Sequence, residues 1–356
     1  MVEWFKTKGE QPVNRLFSFC LELRRFYFNV CIYALTYASL NDLQSIKDIS
    51  GPLNISFVKK YLVVICAFFL LSFPVQIYAQ KKITAERNGS SVDIRIGNQF
   101  FTSYIFSEEE KYPYFFPVNG PSGASVTSMR NGTYPHHTSL FFGCDKVNGG
   151  NYWQEGLDRG QIVSLNVSIL ESGEDKVVLS DECIWKRPGA NAPVKDTRKI
   201  TITSPSEGLY QIDFDIVMEM LMEVTIEKTN HSLFSGRVDP DLAVINGGTL
   251  INAEGEKGEK ATFGKTTSWM DYYGKRGDKM EGIAIMQHPS NKWYPAPWFT
   301  RDYGFFSPTP MYWPENDKEI TMKKGEVINL RYRVIIHGGD HKEANIAKLF
   351  EQYKKD

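Results

Sequence analysis

From Ser91 onward the chain alternates between apolar and polar positions. Val92, Ile94 and Ile96 are separated by polar residues, and Gly97-Asn98 breaks the run before "QFFTSYIF" begins the next. Alternate side chains of a strand point to opposite faces, so a period of two predicts half-buried β-strands. The same signature recurs in "QIVSLNVSIL", "DKVVLSDECIW", "KITITSP", "YQIDFDIVMEM" and "MEVTIEKT", which together reach residue 229. It returns late in "VINLRYRVIIH". Between the runs stand "ESGED", "RPGANAPVKD" and "SPSEG", which are turn compositions. Turn signals about every ten residues argue for a large antiparallel sandwich or barrel.

One helix is expected, in "DHKEANIAKLFEQYKK". Ala344, Ile346, Ala347, Phe350 and Tyr353 form an apolar stripe, with Asp340 as N-cap and Glu343 completing a capping box. No repeat, low-complexity linker or composition break appears after residue 80, so residues 80–356 read as a single all-β domain carrying one C-terminal α-helix.

The N-terminal part follows other rules. Lys59 and Lys60 precede an apolar run from Tyr61 to Phe73, then Pro74, with the small Ala79 at a plausible cut. That layout predicts a secretory signal over 58–79, because the run is shorter than the roughly 20 residues a membrane span needs. The mature protein is then expected to be exported, periplasmic or extracellular, without a stable membrane span. Residues 1–57, upstream of the signal, read as an extension that precedes the physiological start.

Composition narrows the partners. Net charge is −1, which gives no basic field to hold a nucleic acid backbone. The aromatic share is 13%, and many of these rings fall between 234 and 315 among Gly, Pro and charged residues. Loops rich in large rings cost entropy to order, so a packing or binding role is expected there. Of five cysteines only Cys144 and Cys183 follow the signal. An oxidising compartment permits their pairing, and the sequence alone leaves it open.

Six motifs occur in order: "YPYFFPVNGPSGASVT", "YPHHTSLFFGCDKVNGGNYW", "GKTTSWMDYYG", "GIAIMQHPSN", "WFTRDYGFFSPTP" and "LRYRVIIHGGD". Together they resemble a bacterial family of exported proteins labelled the methane oxygenase PmoA family, over roughly residues 98–356. The resemblance implies a supersandwich similar to galactose mutarotase and an association with polysaccharide utilisation. Methane oxidation itself is rejected: a membrane monooxygenase subunit needs many spans of about 20 apolar residues, and one short run is present.

Three clusters carry candidate chemistry. The first contains His136 and His137, with Asn148 and Trp153 nearby. Neighbours in a strand point apart, so the two histidines would converge only from a loop or a strand entry. The second holds Lys265, Trp269 and Asp271, a flat ring beside paired charge. The third holds His288, Trp298, Arg301 and Asp302, where Arg301 could clamp the carboxylate of an acidic sugar. His136, His137, Asp271 and His288 are the acid/base candidates. Asn148, Trp153, Lys265, Trp269, Trp298, Arg301 and Asp302 would bind or orient the sugar. His337 and His341 flank "GGD" and carry a weaker claim. No metal and no cofactor is expected. The leading reading is a carbohydrate-active enzyme (lyase, hydrolase or epimerase) working by proton transfer. The rivals are a non-catalytic glycan-binding protein and a purely structural envelope protein.

Overall fold

Strands dominate the computed structural model, which describes residues 81–154 and 156–356. The expected signal at 58–79 and the extension at 1–57 lie outside the described residues. In chain order the strands are β1 (Ile83–Asn88), β2 (Ser91–Ile96), β3 (Gln99–Ile105), β4 (Tyr114–Val118), β5 (Met129–Asn131), β6 (Tyr134–Thr138) and β7 (Leu140–Cys144). Next come β8 (Gln161–Glu171), β9 (Lys176–Lys186), β10 (Val194–Ser206), β11 (Leu209–Met220), β12 (Val224–Glu227) and β13 (Ser232–Arg237). The last are β14 (Thr249–Asn252), β15 (Trp269–Arg276), β16 (Lys279–Gln287), β17 (Trp298–Arg301), β18 (Phe305–Pro308), β19 (Glu319–Met322) and β20 (Val327–Gly338).

Two eight-stranded sheets result. The first runs β1-β2-β3-β4-β7-β13-β18-β17 and the second β14-β15-β16-β20-β11-β10-β9-β8. Every pairing is antiparallel, so the fold is the large all-β sandwich that the alternation predicts. Two small ribbons, β5-β6 and β12-β19, stand apart from the sheets. All described residues fall in one compact unit.

The core between the sheets is apolar and aromatic. Phe234 of the first sheet stacks on Tyr332 of the second at 4.8 Å, and Phe306 meets Tyr272 edge-on at 5.1 Å. Burying such rings contributes roughly 1.5–3 kcal/mol each relative to exposure. Two buried carboxylates are held by hydrogen bonds: Asp181 Oδ2 accepts from Tyr104 and Ser164, both at 2.6 Å, and Asp196 accepts from Trp185 Nε1 at 2.6 Å and Arg198 Nε at 2.7 Å. Cys144 and Cys183 are both buried and unpaired, on strands of different sheets.

The C-terminal helix, α2 (Ile346–Tyr353), is shorter than its pattern suggests, and a one-turn helix, α1 (Glu259–Thr262), was not foreseen. The expected reciprocal bonds do form, since Asp340 Oδ1 accepts from Glu343 N and Asp340 N donates to Glu343 Oε2. They close a turn rather than the helix, because Asn345 takes a left-handed φ of 55° and restarts the chain before Ile346. α2 then lays Ile346, Phe350 and Tyr353 on the outer face of the second sheet, against Trp269, Tyr273, Ala284, Met286 and Ile335.

Candidate functional site

Strand alternation decides what the outer face of the first sheet carries. Phe234 and Phe306 point inward, so Ser235, Arg237 and Phe305 point outward. Gly143 of β7 has no side chain to offer here. A Cβ on it would lie 2.5 Å from the Tyr152 carbonyl, so only glycine lets the Tyr152-Trp153 segment lie against the sheet. Asn151 fixes that segment by accepting from Trp153 N at 3.0 Å and Gln154 N at 2.8 Å.

Over this face folds the β5-β6 ribbon. Tyr112 anchors it by donating to the His136 carbonyl at 3.0 Å, and Ser139 ends it with a φ of 54°. His136 and His137 therefore lie in a strand, yet their rings converge, with centroids 4.6 Å apart. The expectation that strand neighbours diverge fails here, because a free two-stranded ribbon twists more strongly than a strand within a sheet. Both imidazoles reach Trp153, at 5.5 and 5.7 Å.

Four further residues complete the cluster. His231, just before β13, stacks on Trp153 at 4.3 Å and places Nδ1 3.8 Å from Asp145 Oδ2. Tyr134 stacks on His137 at 5.0 Å and on Tyr303 at 4.3 Å. The Arg237 guanidinium sits 4.8 Å from the Tyr303 ring and 5.8 Å from that of Tyr134. His136, His231, Tyr134 and Tyr303 are half-buried and open the cluster to solvent, whereas His137, Trp153 and Arg237 form its floor.

That floor is under-satisfied. His137 Nδ1, Trp153 Nε1 and Arg237 Nε and Nη1 are all buried without a hydrogen-bond partner among the described residues. Each such group costs about 1–3 kcal/mol, and more when it is charged. Burial, then His231, lowers the His136 pKa from its ordinary value. Burial, followed by His136, Arg237 and His231, drives His137 down to about 2. Both imidazoles are therefore neutral near pH 7. Burial also lowers Arg237, while Tyr303 is pushed up to about 12.

The remaining sequence candidates sit elsewhere. Asp271 faces outward on the second sheet, where its Oδ1 lies 3.0 Å from His337 Nε2, both residues fully buried. Gly282 makes room for that imidazole, since a Cβ there would stand 2.8 Å from His337 Cε1. His288 lies on the same face, with Nε2 accepting from Arg331 at 3.1 Å and Nδ1 2.6 Å from Ser290 Oγ. Asp271 and His288, acid/base candidates alongside His136 and His137, therefore do not join them, because the sandwich separates the two faces.

Trp269 borders a cavity of about 460 Å³ near α2, together with Ile251, His341, Asn345 and Lys348. Trp298 is sealed in the first sheet and donates to the Thr267 carbonyl at 2.9 Å. With Trp153, Trp269 and Trp298 all buried, none of these indoles offers an open stacking wall. Asn148 is occupied by backbone, donating to the Glu223 carbonyl and accepting from Thr225 N. Lys265 is exposed, with Glu256 3.8 Å away. Arg301 and Asp302 flank the cluster through Tyr303 but are spent on α1: Arg301 Nη1 donates to Glu259 Oε1 at 2.9 Å, and Asp302 Oδ1 accepts from Glu259 N at 2.7 Å.

His231 and Arg237 escaped the sequence reading. "KTNHSL" has no ring beside its histidine, and "FSGRVDP" reads as a turn. Their only local signal is position at the two ends of β13, a strand buried throughout. Among the described residues, no group of three or more His, Cys, Asp or Glu is arranged to hold a metal, and no helix is long and apolar enough to cross a membrane.

The chain belongs to DUF6807, a family of unknown function whose model matches residues 91–351. No curated protein matches the sequence. Among solved structures it is similar to a protein described as a kojibiose phosphorylase from human microbiome (9% identity, TM-score 0.31, 78% of this chain and 34% of that one). It thus spans about a third of that relative. A galactose mutarotase related enzyme from Lactobacillus acidophilus matches at 7% identity and a TM-score of 0.29, covering 72% of this chain and 97% of the other. A GalM/aldose epimerase homologue from C. elegans matches at 8% identity and 0.27, covering 73% and 99%.

Proposed function

For this member of a family without an assigned activity, we propose a carbohydrate-active enzyme of the exported kind, acting by proton transfer on the outer face of its first sheet. The observation that carries this is the convergence of four unpartnered buried polar atoms, from His137, Trp153 and Arg237, beneath half-open histidine and tyrosine rings. A sugar presents both hydroxyls and apolar ring faces, and this mixture of donors and rings complements it.

Roles follow from burial. His136 is half-open and neutral, so it takes a proton from a sugar hydroxyl or ring carbon and returns it. His137 is too strongly depressed to serve as a base at neutral pH. It acts instead as a neutral hydrogen-bonding group that polarises a carbonyl or hydroxyl oxygen. His231, beside Asp145, is the second proton-transfer group. Lyase, hydrolase and epimerase each need two such groups.

The test incubates the full chain with defined neutral and acidic oligosaccharides and reads the products by mass. Loss of water, gain of water, or epimerisation without a mass change identifies the class. Turnover should fall about 10²–10⁴-fold in His136→Ala while sugar binding persists. If binding occurs without turnover by the unmutated chain, the protein is a glycan-binding module, and if no sugar binds the reading is wrong.

A further inference from the structure

Three arginines are almost wholly buried, and they differ in one respect. Arg198, 2% exposed, bonds Asp196 at 2.7 Å. Arg333, 8% exposed, bonds Asp213 at 2.6 Å and Asp356 at 2.9 Å. Arg237, 4% exposed, has no carboxylate partner among the described residues, and its Nε and Nη1 are buried without a hydrogen-bond partner there. Its immediate neighbours are the rings of Tyr134 and Tyr303. Two tyrosine faces hold a guanidinium in place without neutralising it, so the charge is positioned but uncompensated.

From this we infer that Arg237 receives the carboxylate of a uronic acid unit, so that the protein selects acidic over neutral sugars. The inference rests on the proposed sugar-directed reading of the same cluster. A planar carboxylate matches the fork of a guanidinium and supplies the missing acceptors. His137 Nδ1 and Trp153 Nε1 lie on the same floor and add polar sites for the adjoining hydroxyls. Arg301, the arginine that the sequence points to for this task, is already held by Glu259. With His136 and His137 neutral, Arg237 is a fixed positive charge of the cluster.

The experiment measures calorimetric binding of glucuronate, galacturonate and mannuronate disaccharides, each beside its methyl ester, its carboxyl-reduced neutral form and a sulfated disaccharide. At least one uronate should bind the unmutated chain tenfold or more tightly than its ester. Arg237→Gln should bring acid and ester within twofold, and Arg237→Lys should keep part of the preference. Equal binding of acid and ester by the unmutated chain overturns the inference, and this comparison needs no variant to fold. So does a preference that survives Arg237→Gln, or tighter binding of the sulfated sugar than of any uronate. If neutral sugars alone bind, the inference fails while the proposed function stands. If no sugar in any form binds, both fail.

Discussion

The six histidines divide evenly between the outer faces of the two sheets, and the most deeply buried one on each face is treated in the opposite way. His136, His137 and His231 gather on the first sheet around Trp153, with one carboxylate, Asp145, at a distance of 3.8 Å from His231. His288, His337 and His341 lie on the second sheet near α2, where His337 meets Asp271 at 3.0 Å and His288 is engaged by Arg331 and Ser290. The carboxylate makes the difference. Burial alone would lower the His337 pKa, but the Asp271 charge and hydrogen bond outweigh it, and the pKa rises. At His137 nothing opposes burial, and the pKa falls to about 2. The buried Asp271 carboxylate thus pushes His337 toward its charged form, whereas His137, with no carboxylate beside it, stays neutral and keeps hydrogen-bonding capacity for a ligand.

The largest effect that would break this contrast is catalytic. His136→Ala should reduce turnover about 10²–10⁴-fold, as loss of a positioned acid or base does. His288→Ala should leave kcat unchanged, so a comparable loss there would put chemistry on the second sheet. Asp271→Asn should be next, removing one partner of a buried pair and costing about 3–5 kcal/mol in urea unfolding, with sugar affinity unaffected. Gly282→Ala should cost about 1–3 kcal/mol, because its Cβ would collide with the Tyr272 carbonyl and with His337.

The subtlest test is the pH dependence of stability, where His137 and His337 carry opposite signs. His137 has a folded pKa far below the unfolded value near 6.5, so the unfolded chain takes up the extra proton. Its contribution is present above about pH 6.5 and is lost as pH falls, with a limiting slope of about 1.4 kcal/mol per pH unit. His337 has a raised folded pKa, so its contribution is complete below about pH 6.5 and is lost as pH rises through the folded value. Denaturation series should therefore show that His137→Gln relieves acid sensitivity, while His337→Gln weakens the fold most at acidic pH. Parallel pH profiles for the two variants would erase the distinction.

Much of the fold was legible. Val92-Ile94-Ile96 and the later alternating runs became β2, β8, β9, β10, β11 and β20, and the turn at Gly97-Asn98 fell between β2 and β3. In the first cluster His136, His137 and Trp153 meet. Rings and charges crowd the other two clusters as well. In the structure the same crowding serves packing: Trp298 is sealed in the sheet, Arg301 and Asp302 hold α1, and Asp271 is buried against His337. Composition shows that such residues must be satisfied, without showing whether protein or ligand satisfies them.

By itself the sequence determined the strands and the face that each side chain takes, because a two-residue period is a local property of extended backbone. Which faces meet was decided only by the tertiary structure. Sheet order brought β13 between β7 and β18 and so carried His231 and Arg237 to His137, and the same order placed Asp271 and His288 on the far side of the core. Register and sheet order come from the packing of distant segments, and no short window of sequence contains them.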